Sequence, residues 1–154
     1  MIYRDGDDFD ARWEDGLAYR REKKIMDHYI RTDEDGDTVY SEEEILSTEL
    51  KKKAGFGKEG DKNYPGIITG LQMQFYLVTA GFRRHVNKKG GEYGMAVSVM
   101  FPPEKIRGYD MVTSAYKESP VQSWQRLFDH VKKLYEEADD EAVIRLIGKK
   151  PIVM

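Results

Sequence analysis

Thr69, Gln72 and Gln74 lie within one short apolar-periodic stretch and carry hydroxyl and amide groups. Such groups bond base edges or phosphate oxygens. Residues two apart on a helix point to different faces, so Gln72 and Gln74 do not share one direction. Arg83, Arg84 and His85 follow, then Lys88 and Lys89, while Lys51, Lys52, Lys53 and Lys58 form a second cationic group upstream. A cation that neutralises a phosphate releases condensed counterion, so these residues together suit salt-dependent binding to nucleic acid. The same set also suits an ordinary solvated basic surface, and a fold alone does not decide between them.

Other chemistries fit less well. Residues 33–44 count as a twelve-residue calcium loop with Asp33, Asp35, Asp37, Ser41 and Glu44 at ligand positions and the Val39 carbonyl between them. Thr38 occupies the position where the sharp turn wants glycine, and a β-branched residue is an outlier at positive φ. The reading adopted is a turn at Asp35-Gly36-Asp37 followed by a helix cap, with no metal assigned. His28, His85 and His130 are far apart and outside any ligand motif. Asp5, Asp7, Asp8 and Asp10 could supply a carboxylate pair for acid–base work, but an acidic solvated arm accounts for them. Nucleophile-elbow and phosphate-loop patterns are absent, so no catalytic residue and no cofactor is assigned.

The composition sets outer bounds. With 154 residues, 40% hydrophobic and 12% aromatic, the chain can bury a core without staples. Zero cysteines exclude disulfides and thiolate chemistry. No apolar run reaches the roughly 20 residues of a membrane span, and the acidic start lacks a signal-peptide apolar region, so the expected location is cytoplasmic. Charge is segregated. Residues 1–50 hold 7 basic and 16 acidic side chains, residues 51–110 hold 11 and 5, and residues 111–154 hold 7 and 7. A basic middle can attract an anionic partner while the acidic part keeps the net charge at −3.

The elements that must position these residues read as follows. Residues 1–18 form an arm, with Tyr3 and a Phe9, Trp13, Leu17 stripe at helical spacing. Residues 19–31 have helical rhythm through Ile25, Met26, Tyr29 and Ile30, and residues 38–40 a short strand. Ser41 with Glu44 predicts a capping box starting a second helix that Gly55 ends. Pro65 suits the first turn of a third helix with Ile67, Ile68, Leu71 and Phe75 inward. Two alternating runs around Asn87-Lys88-Lys89-Gly90-Gly91-Glu92 predict a hairpin, stopped by Pro102-Pro103. Two amphipathic helices follow, capped at Ser119 and at Asp139 or Asp140. This order predicts an α+β fold: a winged helix-turn-helix over residues 19–103, the arm at 1–18, and a helical extension at 104–154 on the same core.

The stretches Asp8-Phe9-Asp10-Ala11-Arg12-Trp13-Glu14-Asp15-Gly16-Leu17-Ala18, Leu71-Gln72-Met73-Gln74-Phe75-Tyr76 and Gly91-Glu92-Tyr93-Gly94 resemble bacterial AlkZ-related proteins. That family is distantly similar to winged-helix DNA glycosylases that excise alkylated bases. Its members tend to carry further sequence before the Asp8 stretch, which implies a chain cut from something longer. The glycosylases use a Gln-x-Gln or Gln-x-Asp pair, and Gln72-Met73-Gln74 is similar to it. The resemblance implies a winged helix with duplex contact. The expectation is therefore a non-enzymatic DNA-binding module, with a glycosylase-like protein and a protein-interaction or homodimerisation module as alternatives.

Overall fold

The computed structural model describes residues 6–152, so Tyr3 and Asp5 lie outside the described residues. Among those described, the chain is α+β, with eight helices and two antiparallel two-stranded sheets. It divides into two compact units, Met1–Ser114 and Ala115–Met154. Residues 104–114 thus belong with the first unit. No helix among the described residues is long and apolar enough to cross a membrane.

In the first unit, α1 (Phe9–Glu14) is capped by Asp8, whose carboxylate accepts from the Ala11 amide at 3.0 Å. Phe9 is buried edge-on to Tyr76, and the Tyr76 hydroxyl donates to the Asp7 carbonyl at 2.7 Å. The expected aromatic stripe ends there. The helix stops at Glu14, so Trp13 and Leu17 stay exposed, and the Lys23 ammonium lies 5.3 Å from the Trp13 ring. Asp8 is used by its cap, and Asp10 is raised above the usual carboxylate range by burial and then by Asp8.

Helix α2 (Arg20–Met26) is shorter than its rhythm suggests. Ile30 and the two residues after it form β1 (Ile30–Thr32), paired antiparallel with β2 (Thr38–Tyr40). The turn explains the change. The Asp33 carboxylate accepts from the Asp35 and Asp37 amides at 3.0 and 2.8 Å, which favours chain reversal over continued helix. The helix expected from Ser41 also starts later. The Ser41 hydroxyl accepts from the Glu43 amide, and its own amide donates to the Tyr29 carbonyl, so the segment stays extended. Ile45 reaches the core and Leu46 makes a single antiparallel bridge to Val99 before α3 (Ser47–Lys53) begins.

Helix α4 (Tyr64–Met73) has Pro65 in its first turn and buries Tyr64, Ile68 and Leu71. Phe75 does not join them. It sits at φ 63 and is exposed, while the amides of Tyr76 and Leu77 turn back onto the Leu71 carbonyl. This is a helix stop in which a non-glycine residue takes the left-handed position. Tyr76 and Leu77 occupy the buried places instead.

Strands β3 (Val78–Val86) and β4 (Glu92–Phe101) form the long hairpin. Ala80 is an extra residue in β3, between the Thr79–Met100 and Gly81–Val99 pairs. A larger irregularity in β4 falls between the Arg83–Val97 and His85–Tyr93 pairs, where Gly94 has φ 75. A side chain at that φ is strained, so the residue type and the bulge go together. The inner end, Val99, Met100 and Phe101, is buried with Ile25, Met26, Tyr29, Ile45, Leu50, Leu71 and Leu77. Two short helices close the unit: α5 (Pro103–Arg107) and α6 (Tyr109–Val112).

Glu104 of α5 is buried, and its Oε2 has no hydrogen-bond partner in the protein. Burial raises its carboxyl above the ordinary value of 4.5. The protonated form therefore favours the fold. That contribution is complete below 4.5 and is lost as pH rises through the raised folded value. Glu104→Gln should thus gain about 1 kcal/mol in urea unfolding at pH 7 and nothing at the acid end of the stable range. An equal gain at both pH values would place the effect elsewhere.

In the second unit, α7 (Pro120–Leu134) carries a reciprocal cap between Ser119 and Gln122, and α8 (Asp140–Ile147) is capped by Asp139. Trp124 stacks on Phe128 and donates its indole N–H to the Gly148 carbonyl at 2.8 Å, tying the two helices together.

Candidate nucleic-acid interface

Beyond the bulge at Ala80, β3 alternates regularly. Gly81, Arg83 and His85 face α3. The Arg83 guanidinium meets Glu44 at 3.0 Å, just before that helix, and His85 Nε2 lies 3.3 Å from the Thr48 hydroxyl. Phe82, Arg84 and Val86 point the other way and are exposed. At the apex, the Asn87 side chain accepts from the Lys89 and Gly91 amides at 2.9 and 3.0 Å, which fixes the loop. Lys88 and Lys89 stand on that fixed loop, exposed, with no ion-pair partner among the described residues.

The second cationic group sits on the last turn of α3. Lys51, Lys52 and Lys53 there offset the negative end of the helix. Lys53 is paired with Glu43, which holds that carboxyl below the usual range. Lys51 and Lys52 have no such partner among the described residues. With Thr48, Phe56 and Gly57 they line an open cavity of about 390 Å³. Phe56 is buried edge-on to Tyr64, 5.3 Å between ring centroids. The loop beside it is tied to α2: Asp61 accepts from Lys24 at 2.5 Å and from Arg20 at 3.4 Å, and Lys24 keeps its carboxyl low. Gly60 is required in that loop, because an added Cβ would lie 2.1 Å from the Gly55 carbonyl oxygen. Lys58 is exposed on it.

The polar residues of α4 are placed differently. Thr69 is exposed. Gln72 is half-buried, its amide 3.5 Å from the Thr79 hydroxyl, and the Gln74 amide donates to the Gly70 carbonyl at 3.2 Å. The two glutamines are thus engaged with their own chain.

The charge pattern of the sequence did not reveal what the acidic run does. Glu42, Glu43 and Glu44 pair in turn with Lys105 of α5, Lys53 of α3 and Arg83 of β3. Three consecutive carboxylates on an extended segment thereby hold three separate elements. Glu44 is therefore not the end of a helix cap, and its only marker in the sequence was its place in a run of acids. The twelve residues counted as a calcium loop are split by this arrangement. Strands rather than helices border the Asp33–Asp37 turn, Asp33 is bonded to two amides, and Ser41 and Glu44 are engaged elsewhere. Among the described residues, no group of three His, Asp or Glu side chains is placed to hold a metal.

The first unit is thus an α+β domain whose basic hairpin and α3 flank are joined through Thr48 and His85, beside a carboxylate strap. Residues 1–148 match the family model described as AlkZ related, and the chain belongs to that family. No curated protein and no solved structure matches it.

Proposed function

We propose that the first unit is a winged-helix module that binds duplex DNA without acting on it as an enzyme. The family relation supports a DNA-related role. The order α2, α3, α4, hairpin is that of a winged helix, and the Leu46–Val99 bridge supplies the single short strand contact beside the wing. The observation that carries the reading is a set of uncovered cations. Arg84, Lys88 and Lys89 on the hairpin and Lys51 and Lys52 on α3 have no anionic partner among the described residues. Lysines and arginines on a hairpin and a neighbouring helix position a protein on phosphates. Thr69 is free to meet the groove, whereas Gln72 and Gln74 sense bases only after releasing Thr79 and Gly70.

Fluorescence anisotropy with a labelled duplex, titrated across salt concentrations, tests this. Five cations that each neutralise one phosphate give a log–log slope of about −4.5. Absence of binding at low salt, or a flat dependence, rejects the proposal.

The glutamate strap sets a further expectation. Glu43→Gln with Glu44→Gln frees Lys53 and Arg83 and removes two charges that repel phosphate. Duplex affinity should rise roughly tenfold at low salt and by little at high salt. A control that neutralises Glu136 and Glu137, exposed in the second unit, makes the same change in net charge. Equal gains from both pairs would show that only net charge matters.

A further inference from the structure

The cavity beside α3 joins two features that a passing DNA backbone does not need together. Its wall is mainly apolar, and it is lined by two cations without an anionic partner among the described residues, Lys51 and Lys52. Neighbouring cations are already matched. Lys53 of the same turn pairs with Glu43, and Lys24 and Arg20 pair with Asp61. The carbonyls that end α3 are matched too. Those of Leu50, Lys51 and Lys52 accept from the amides of Ala54, Phe56 and Gly55 at 2.9, 2.9 and 3.0 Å, so these helix-end carbonyls are not left bare to repel an anion. At Gly57 the amide donates to the Asp61 carbonyl at 3.2 Å, and the carbonyl accepts from Lys62 at 2.7 Å. What the cavity offers a ligand is therefore positive charge over apolar surface.

We infer that this cavity binds a small organic phosphate, with its phosphate monoester held by Lys51 and Lys52 and its apolar body seated in the cavity against Phe56. Two ammonium groups suit a doubly charged end better than a single carboxylate. The volume of about 390 Å³ lies in the range of small-molecule sites. The engaged backbone at Gly57 and the apolar wall disfavour a sugar-rich ligand, whose hydroxyls would be left unpaired. The walls are held in place without a ligand. Phe56 is wedged edge-on against Tyr64, whose hydroxyl donates to the Ser47 carbonyl at 2.9 Å at the start of α3. Asp61 ties the other side of the loop to α2. Such preorganisation lowers the ordering cost of binding. The inference goes beyond the duplex reading but shares two lysines with it, so a bound organic phosphate withdraws Lys51 and Lys52 from DNA.

Isothermal titration of the full chain with 1-naphthyl phosphate, inorganic phosphate and 1-naphthol reads the two halves of the site separately. 1-Naphthyl phosphate should bind at least about tenfold more tightly than either of the others. Lys51→Gln with Lys52→Gln should weaken it by a similar factor. Gly57→Leu keeps both lysines and tests the cavity. An added Cβ at Gly57 meets no atom within 4 Å, so a side chain there has room without moving the loop. This variant should bind 1-naphthyl phosphate about tenfold more weakly while its duplex affinity changes by less than about twofold. Saturating 1-naphthyl phosphate should weaken duplex binding of the parent about tenfold, since two phosphate contacts are lost. Inorganic phosphate or 1-naphthol binding as tightly as 1-naphthyl phosphate, parental binding in the lysine variant or in Gly57→Leu, unchanged duplex affinity under saturation, or preferential capture by vesicles of phosphatidic acid each overturn the inference. None of these results touches the duplex proposal. Absence of duplex binding without any ligand removes that proposal instead, and the titrations alone then decide the cavity.

Discussion

Replacing Lys88 and Lys89 together by glutamate should weaken duplex binding by about two orders of magnitude at low salt and flatten the log–log salt slope by about 2. Each lysine lost removes one phosphate contact, and each glutamate gained adds repulsion at the same point. The fold should be untouched. Both side chains are exposed at the apex, and the loop is held by Asn87 through backbone amides that the substitutions keep. Thermal unfolding of the double variant should therefore overlay the parent curve. Unchanged duplex affinity in that well-folded variant would remove the apex from the interface.

The second large effect is on stability. Leu71→Ala should cost about 3 kcal/mol and lower the urea midpoint by more than about 1 M. Leu71 is fully buried in the core of the first unit, alongside Ile68, Tyr76 and Leu77. Its carbonyl also receives the Tyr76 and Leu77 amides that end α4. Collapse of neighbours into the space would disturb the helix stop that launches β3, so relaxation is restricted. A loss below about 1 kcal/mol would mean that the site closes up after all.

The parts of this fold that the sequence foretold are those fixed by neighbours along the chain. Ser119, Asp139 and Pro65 each signal a helix start through bonds or torsions within three residues, and all three stand where expected. The glycine-bearing loop at Asn87–Gly91 likewise marks the hairpin. The errors arise where a distant partner competes with a local preference. Ile30 has helical spacing but pairs with Tyr40. Ser41 and Glu44 have cap spacing, yet Ile45 is drawn into the core and Glu44 is taken by Arg83, 39 residues away. Phe75 continues the apolar rhythm of α4, but the chain reverses at it and buries the next two residues.

The candidate interface divides in the same way. The basic residues themselves were visible as residue types, and the exposed apex follows from a hairpin loop. Which cations are uncovered was not visible, since that depends on the carboxylates that fold against them. Lys53 and Arg83 look equivalent to Lys52 and Arg84 in the sequence, and the structure separates them by giving only the first two an acidic partner.

The strap of Glu42, Glu43 and Glu44 also bears on how solution data should be read. When a phosphate takes Lys53 or Arg83, a carboxylate is released into the solvent and gathers small cations of its own. That uptake offsets part of the ion discharge from the polyanion. A site size deduced from ionic-strength plots of the native chain will therefore undercount the side chains in contact, and the strap-neutralised variant should report the larger number.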